Sequence, residues 1–448
     1  MSANPRTDPD LRSHLENAPM TAYQWAIVAV AVLLNANDGF DVAAMSFVSI
    51  SVENEFGLTG SELGTVISAT LVGMAVGAFA IGRLADILGR RWTVIGSAVL
   101  STVGMFLASS SADVVQLGVW RVVTGLGVGG ILASITVITA EFSNRRWRGI
   151  AIGIYTAGYG IGAFLGGIAA NALQETAGWR SVFLVGASAS VIVIVALVVI
   201  VPESVQFLAT KRPASADRTL RRIARRVGFD PERAGLAHLD GSAAGEASAS
   251  RLGDLFRGRM LLVTILVWIV FFAVMFGFYF VNSWTPRLMI EAGMTAEQGV
   301  TIGMALAVGG AVGSVLYGVV AVRMTQERAL VAFLVLTAVS IVVFVLSTAV
   351  LAVAFVLGVL TGLLVNGCIA GLYAVAPARY GAATRATGVG AALAVGRIGA
   401  IFAPIAGGAL LDAGWTTFAL YGSTAALLAV GAVVTILLAR IPAAADAG

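Results

Sequence analysis

Long apolar runs alternate along the chain with short polar breaks. Twelve of these runs reach roughly 20 mostly apolar residues, the length a helix needs to cross a bilayer. They fall near 23–48, 61–83, 91–111, 114–140, 149–173 and 180–201, then near 260–287, 297–321, 328–348, 350–376, 386–411 and 415–439. The predicted fold class is an all-α membrane protein with twelve transmembrane helices in two six-helix, pseudo-symmetric bundles. The tight join at Ser347-Thr348 makes eleven spans the competing count. Polar breaks divide the chain into a tail over 1–22, a first bundle over 23–202, a linker over 203–258, a second bundle over 259–440 and a tail over 441–448.

The two predicted bundles repeat one another. Val122-Val-Thr-Gly-Leu-Gly-Val-Gly-Gly130 aligns with Val359-Leu-Thr-Gly-Leu-Leu-Val-Asn-Gly367, and Gly178-Trp179 with Gly414-Trp415. Val72-Gly73 and the stretch Gly77–Gly82 align with Val308-Gly309 and Gly313–Gly318. Two like-oriented halves related by an axis along the membrane normal are a transporter architecture, with substrate expected near the midplane between them. The repeat breaks where Arg397 replaces Gly160 and Arg121 faces Gly358, so each half has gained one arginine inside the membrane.

Composition agrees with this pattern and excludes other classes. The 448 residues are 58% hydrophobic and 12% charged, whereas soluble domains run about 45–50% apolar and about 25% charged. The 53 glycines suit close helix packing in lipid. One cysteine, Cys368, excludes an internal disulfide or a cysteine-based metal site. The two histidines, His14 and His238, both lie in polar segments. No metal or cofactor is expected, and any proton chemistry inside the membrane falls to carboxylates. The first apolar stretch carries Asn35, Asn37, Asp38 and Asp41 and reads as an uncleaved span rather than a signal peptide. Arginines gather in the loops on the side of both termini, at 83, 90, 91, 145, 146, 148, 323, 328, 379, 385 and 440 and throughout the linker. Only Arg180 and Arg287 lie opposite. The positive-inside rule then puts both termini in the cytoplasm, and the bias of 27 arginines to one lysine points to a bacterial plasma membrane. Topology accounts for the net charge of +4, so no nucleic-acid partner is implied. The linker reads as a solvated connection with an amphipathic helix around Leu220–Arg226 and an Ala/Gly/Ser-rich part over Gly241–Ser250.

Candidate chemistry follows from polar residues in apolar surroundings. Asp38 and Asp41 share one helix face in Asn37-Asp-Gly-Phe-Asp41. A charge at the bilayer centre costs about 2.5–3.5 kcal/mol on insertion scales, so intramembrane acids usually mark pathways. The two aspartates are the candidates for carrying a proton, the alternative being an ion pair with Arg121 or Arg397. Arg397 is the first candidate for holding a substrate carboxylate, since a guanidinium stays charged and grips carboxylates bidentately. For Arg121, substrate contact and proton relay both stand open. Tyr155, Tyr159 and Tyr373 are cavity candidates. Phe276, Phe278, Tyr279, Phe280 and Trp284 make the seventh span aromatic, and among them Tyr279 and Trp284 are candidates for stacking on a ring. The turn Gly82-Arg-Leu-Ala-Asp86-Ile-Leu-Gly89-Arg90-Arg91 reads as a gate, in which Asp86 latches one arrangement of the halves. No nucleophile, nucleotide loop or metal cluster is present in the sequence pattern, so the chain is not expected to be an enzyme.

These residues together resemble the major facilitator superfamily over about 20–440. The Gly82–Arg91 segment is similar to its loop between helices two and three, and Pro202-Glu-Ser204 followed by Phe207-Leu208 is similar to its pattern after helix six. Asp38-Gly-Phe-Asp41, with Arg385-Ala-Thr-Gly-Val-Gly390 and Gly396-Arg-Ile-Gly399, resembles the aromatic acid:proton symporter family. The resemblance implies proton-coupled uptake of a small aromatic carboxylate, benzoate-, hydroxybenzoate- or gentisate-like; one twelve-helix unit can work alone, so a functional monomer is expected. It gives functional weight to Asp38 and Asp41, to Asp86, to Glu141 in helix four, and to Arg385 and Arg397. The second-half loop, Gly318 to Arg328, departs from the motif: Val322 and Thr325 stand where the first half has its acid and second glycine. The competing readings are a proton-driven exporter of drugs or aromatic compounds on the same scaffold, and a transporter-like sensor.

Overall fold

The computed structural model describes residues 11–213, 215–230, 252–381 and 384–442. Among the described residues, twelve helices are long and apolar enough to cross a membrane. We number them α1 (Ala22–Phe47), α2 (Gly60–Leu88), α3 (Arg90–Ala108), α4 (Val114–Glu141), α5 (Arg148–Ala177), α6 (Trp179–Ile200), α7 (Gly258–Glu291), α8 (Ala296–Ala321), α9 (Gln326–Leu346), α10 (Leu351–Arg379), α11 (Arg385–Asp412) and α12 (Thr417–Ala439). The chain does break at Ser347, where α9 ends, and the span count is twelve.

Local signals set the helix starts. Thr21 caps α1 in a capping box with Gln24, and Thr59 caps α2 with Glu62. Thr295 caps α8 with Gln298 at the position equivalent to Thr59. In each case the hydroxyl and the third-position side chain satisfy backbone donors that the helix itself leaves free.

The packing repeats with the sequence. Within the first half α2 packs on α4, α1 on α5, and α3 on α4 and α6; within the second half α8 packs on α10, α7 on α11, and α9 on α10 and α12. Glycines set the closest approaches. A Cβ at Gly73 would strike the Val122 carbonyl, and one at its repeat mate Gly309 would strike the Val359 carbonyl. Such contacts let helices associate through backbone packing, which lipid does not otherwise favour. Residues such as Ile192 and Val199 on α6 are 72% and 67% exposed, as a hydrocarbon-facing surface requires.

The halves meet through α2 against α11 and α5 against α8, again related by the repeat. Their hydrogen bonds concentrate at the end away from the termini, here called the far face. Asp412, closing α11, accepts from Gly60 N (2.7 Å), Ser61 N (2.8 Å) and Ser61 Oγ (2.5 Å) at the start of α2. Arg287 on α7 grips Glu53 bidentately at 2.7 and 2.8 Å, and Glu53 belongs to the short helix Ser49–Phe56 between α1 and α2. Deeper in, Ser68 Oγ donates to the Ile401 carbonyl (2.7 Å). Nearby, the Trp179 indole and Arg180 hold the Glu55 carboxyl below its ordinary range.

At the terminus face the linker corrects one expectation. Rather than a purely solvated connection, it forms helices Val205–Lys211 and Ala216–Arg226 whose apolar residues join a core with Leu11 and Leu15. Gly241–Ser250 lie outside the described residues.

Candidate functional site

The α1–α5 pair builds one wall of the site. A Cβ at Gly39 would run into the Tyr159 carbonyl, and one at Gly162 into that of Ala36. Asn35 Nδ2 donates to the Tyr155 carbonyl at 2.8 Å, tying the two helices one turn before Asp38. This close approach brings Asp38 and Asp41 beside Tyr155 and Tyr159.

The two aspartates have different surroundings. Asp41 is fully buried and accepts from Arg121 Nη1 at 2.5 Å, while Arg121 Nη2 donates to the Asp41 carbonyl at 3.2 Å. Arg121 is itself 1% exposed, and its guanidinium carbon lies 5.4 Å from the Phe183 ring centroid. Asp38 is also buried, but its Oδ1 has no hydrogen-bond partner among the described residues. Asp38 instead lies in the field of both arginines, Arg397 across the interface and Arg121 behind Asp41.

The second half supplies the opposite wall. Arg397 on α11 is half-buried and interacts with the Tyr279 hydroxyl from α7. Tyr159 is within electrostatic range of Asp38, Arg397 and Tyr279, and Tyr373 on α10 is within range of Tyr155 and Tyr279. Thr136 on α4 donates to the Tyr155 hydroxyl at 3.4 Å. A carboxylate, a guanidinium and four phenols thus converge from α1, α5, α7, α10 and α11. That set can hold an anion at the arginine, stack or hydrogen-bond a ring with the tyrosines, and exchange a proton at Asp38.

Two residues expected among the ligand contacts are placed elsewhere. Trp284 is fully buried and donates its indole N–H to the Pro404 carbonyl (3.1 Å), joining α7 to α11 by packing. Arg121 is buried, with both terminal nitrogens engaged by Asp41 and only Nε without a partner among the described residues.

The terminus-face residues form a separate group. Gly89, at φ +99°, joins α2 to α3, and a side chain there would be strained and would meet Glu203. Glu203 Oε1 accepts from Arg91 N (3.0 Å) and Ser204 N (2.9 Å). Glu141 pairs with Arg90 (3.3 Å) and accepts from Ser204 Oγ. Gly82 lies over Ala133 of α4. Asp86 and Arg385 are exposed, with no hydrogen-bond or ion-pair partner among the described residues, so the latch expected of Asp86 is not made in this conformation. The second half has a corner of its own despite lacking the motif: Arg379 donates to Glu327 and to the Ile441 carbonyl, both at 2.6 Å. Acid and base have changed places, with the acid closing α4 and the base closing α10. Sequence reading missed Glu53, Asp412, Glu327 and Arg379 as partners; their only signal was a charge beside a span end.

Comparison with known proteins agrees with this architecture. Residues 29–354 match the model of the Major Facilitator Superfamily. The chain is 32% identical over 409 residues to the 4-hydroxybenzoate transporter PcaK of Pseudomonas putida, covering 91% of this chain and 90% of that one. It is 32% identical over 409 residues to the gallate transporter of the same species, covering 90% and 89%. A gentisate transporter of Corynebacterium glutamicum is 28% identical over 399 residues, covering 87% and 82%. Among solved structures, the partially occluded inward-open xylose transporter XylE of E. coli superposes with a TM-score of 0.74 at 17% identity, covering 95% of this chain and 99% of that one. With a family match across most of its length and twelve spans in two repeated halves, the chain belongs to the major facilitator superfamily and is a membrane transporter, not an enzyme.

Proposed function

We propose that the protein imports a small aromatic carboxylate together with protons across a bacterial plasma membrane, both termini being cytoplasmic and one chain sufficing. The observation that carries this reading is that Arg397 lies within electrostatic range of Asp38 across the interface, among four tyrosines. Arg397 holds the carboxylate, and Tyr155, Tyr159, Tyr279 and Tyr373 line the ring's place. Asp38 carries the proton, because Asp41 is already neutralised by Arg121 and Asp38 has no such donor. The relatives named for hydroxybenzoate, gallate and gentisate support a substrate that combines a carboxylate with a phenyl ring.

Coupling has a physical motive. Bringing a bare anion into an inside-negative cell costs about 2.3 kcal/mol per charge per 100 mV, and a co-transported proton removes that cost. Transport proceeds by alternating access. The bonded far face and the unpartnered Asp86 and Arg385 at the other end correspond to a state open toward the cytoplasm. Uptake of labelled benzoate, 4-hydroxybenzoate, gallate and gentisate into proteoliposomes tests the proposal. Accumulation of one of them that requires an inward proton gradient, with a half-saturation at least tenfold higher in Arg397→Lys, is expected. Gradient-driven exit of preloaded acid without uptake overturns it in favour of export.

A further inference from the structure

The linker helix Ala216–Arg226 has two unlike sides. Leu220, Ile223 and Ala224, followed by Val227 and Phe229, are buried in a core with Leu11, Leu15, Leu197 of α6 and Val201 just beyond it. His14 fastens this contact, its ring nitrogen 3.2 Å from the Val227 carbonyl and its ring 5.2 Å from that of Phe229. The apolar side is therefore already covered by protein. The other side presents Arg218, Arg221, Arg222 and Arg225, all exposed, and none of them pairs with a carboxylate among the described residues. Asp217 is the one acid on the helix. Arg226 completes the row from above the Tyr23 ring, 5.0 Å from its centroid.

Position decides what this basic side meets. The Tyr23 hydroxyl donates to the Ile200 carbonyl, so the helix lies where α1 begins and α6 ends. Val198 and Val199 on that end of α6 are exposed and apolar. Trp25 and Trp147 form an edge-on pair at the same face, and Trp92 is exposed there. Tryptophans of this kind mark the level at which hydrocarbon gives way to headgroups. Arginines on this side follow the positive-inside rule, and those of Ala216–Arg226 gather on one exposed face at that level.

We infer that the exposed basic side of Ala216–Arg226 is a docking surface for anionic phospholipid headgroups. Guanidinium groups bind phosphate bidentately, and basic residues next to an anionic surface are attracted to it within a Debye length. Because the apolar side is spent on the protein, attraction is electrostatic and involves no insertion of the helix. The bound lipids brace the short helix Leu11–Asn17 and the linker against the first half.

Native mass spectrometry of the full purified chain, incubated with equal amounts of phosphatidylglycerol and phosphatidylcholine, tests this. The wild type is expected to retain phosphatidylglycerol severalfold over phosphatidylcholine, with the excess shrinking as salt is raised. The fourfold variant Arg218→Gln/Arg221→Gln/Arg222→Gln/Arg225→Gln loses the excess, and the matching fourfold Arg→Lys variant keeps it. Single variants Arg221→Gln and Arg225→Gln, each losing part of it, serve if the fourfold variant does not purify. A wild type without preference, or an excess untouched by the glutamine substitutions, overturns the inference.

Discussion

At the residue scale the two aspartates of one motif have different surroundings. Asp41 is half of a buried ion pair, and deleting one partner of such a pair typically costs about 3–5 kcal/mol by stranding the other charge. Asp41→Asn is therefore expected to lower thermal stability in detergent sharply, with much of the loss recovered in Asp41→Asn/Arg121→Gln. Asp38→Asn removes no hydrogen bond and is expected to fold normally. It should abolish accumulation driven by a proton gradient while sparing exchange of labelled for unlabelled acid. Equal loss of exchange and accumulation in Asp38→Asn would move the proton elsewhere. The distinction between the two acids was not legible in the sequence: their shared helix face identified the pair, but Arg121 lies 80 residues from Asp41 and only the fold selects its partner.

At the element scale, apolar run length gave the twelve spans, and duplicated glycines announced which helices pack together. Gly73 and Gly309 serve the same crossing in the two halves. What the pattern concealed was compensation. The second-half loop reads as a lost motif, because Val322 and Thr325 replace an acid and a glycine. The corner is nevertheless bonded, with Glu327 and Arg379 in reversed polarity. Arg379→Glu is expected to destabilise the second half by placing like charges together. Glu327→Arg/Arg379→Glu, which copies the polarity of the first half, should recover more than half of the loss in thermal unfolding. Likewise the linker's composition suggested a solvated strap, since alternating arginines and aliphatics do not reveal that another helix waits for the aliphatic side.

At the scale of the whole molecule, bonds between the halves favour one face. Asp412 caps the first backbone donors of α2 from the other half, and Arg287 closes on Glu53. Asp412→Asn and Glu53→Gln are expected to loosen this face. Cysteines introduced beside it, in a Cys368→Ser background, should react faster with a membrane-impermeant maleimide than in the unloosened protein. Unchanged labelling would assign the closure to helix packing alone.

The closed far face also sets how strongly the protein appears to bind from that side. An arriving ligand meets a competent site only in the fraction of molecules that have opened, and the apparent dissociation constant is the intrinsic one divided by that fraction. The Asp412 and Glu53 contacts thus act as a dial on apparent affinity from the far face, without touching the ligand. A chain with a weaker clasp would bind from the far face at lower ligand concentration, and would release less readily at the terminus face.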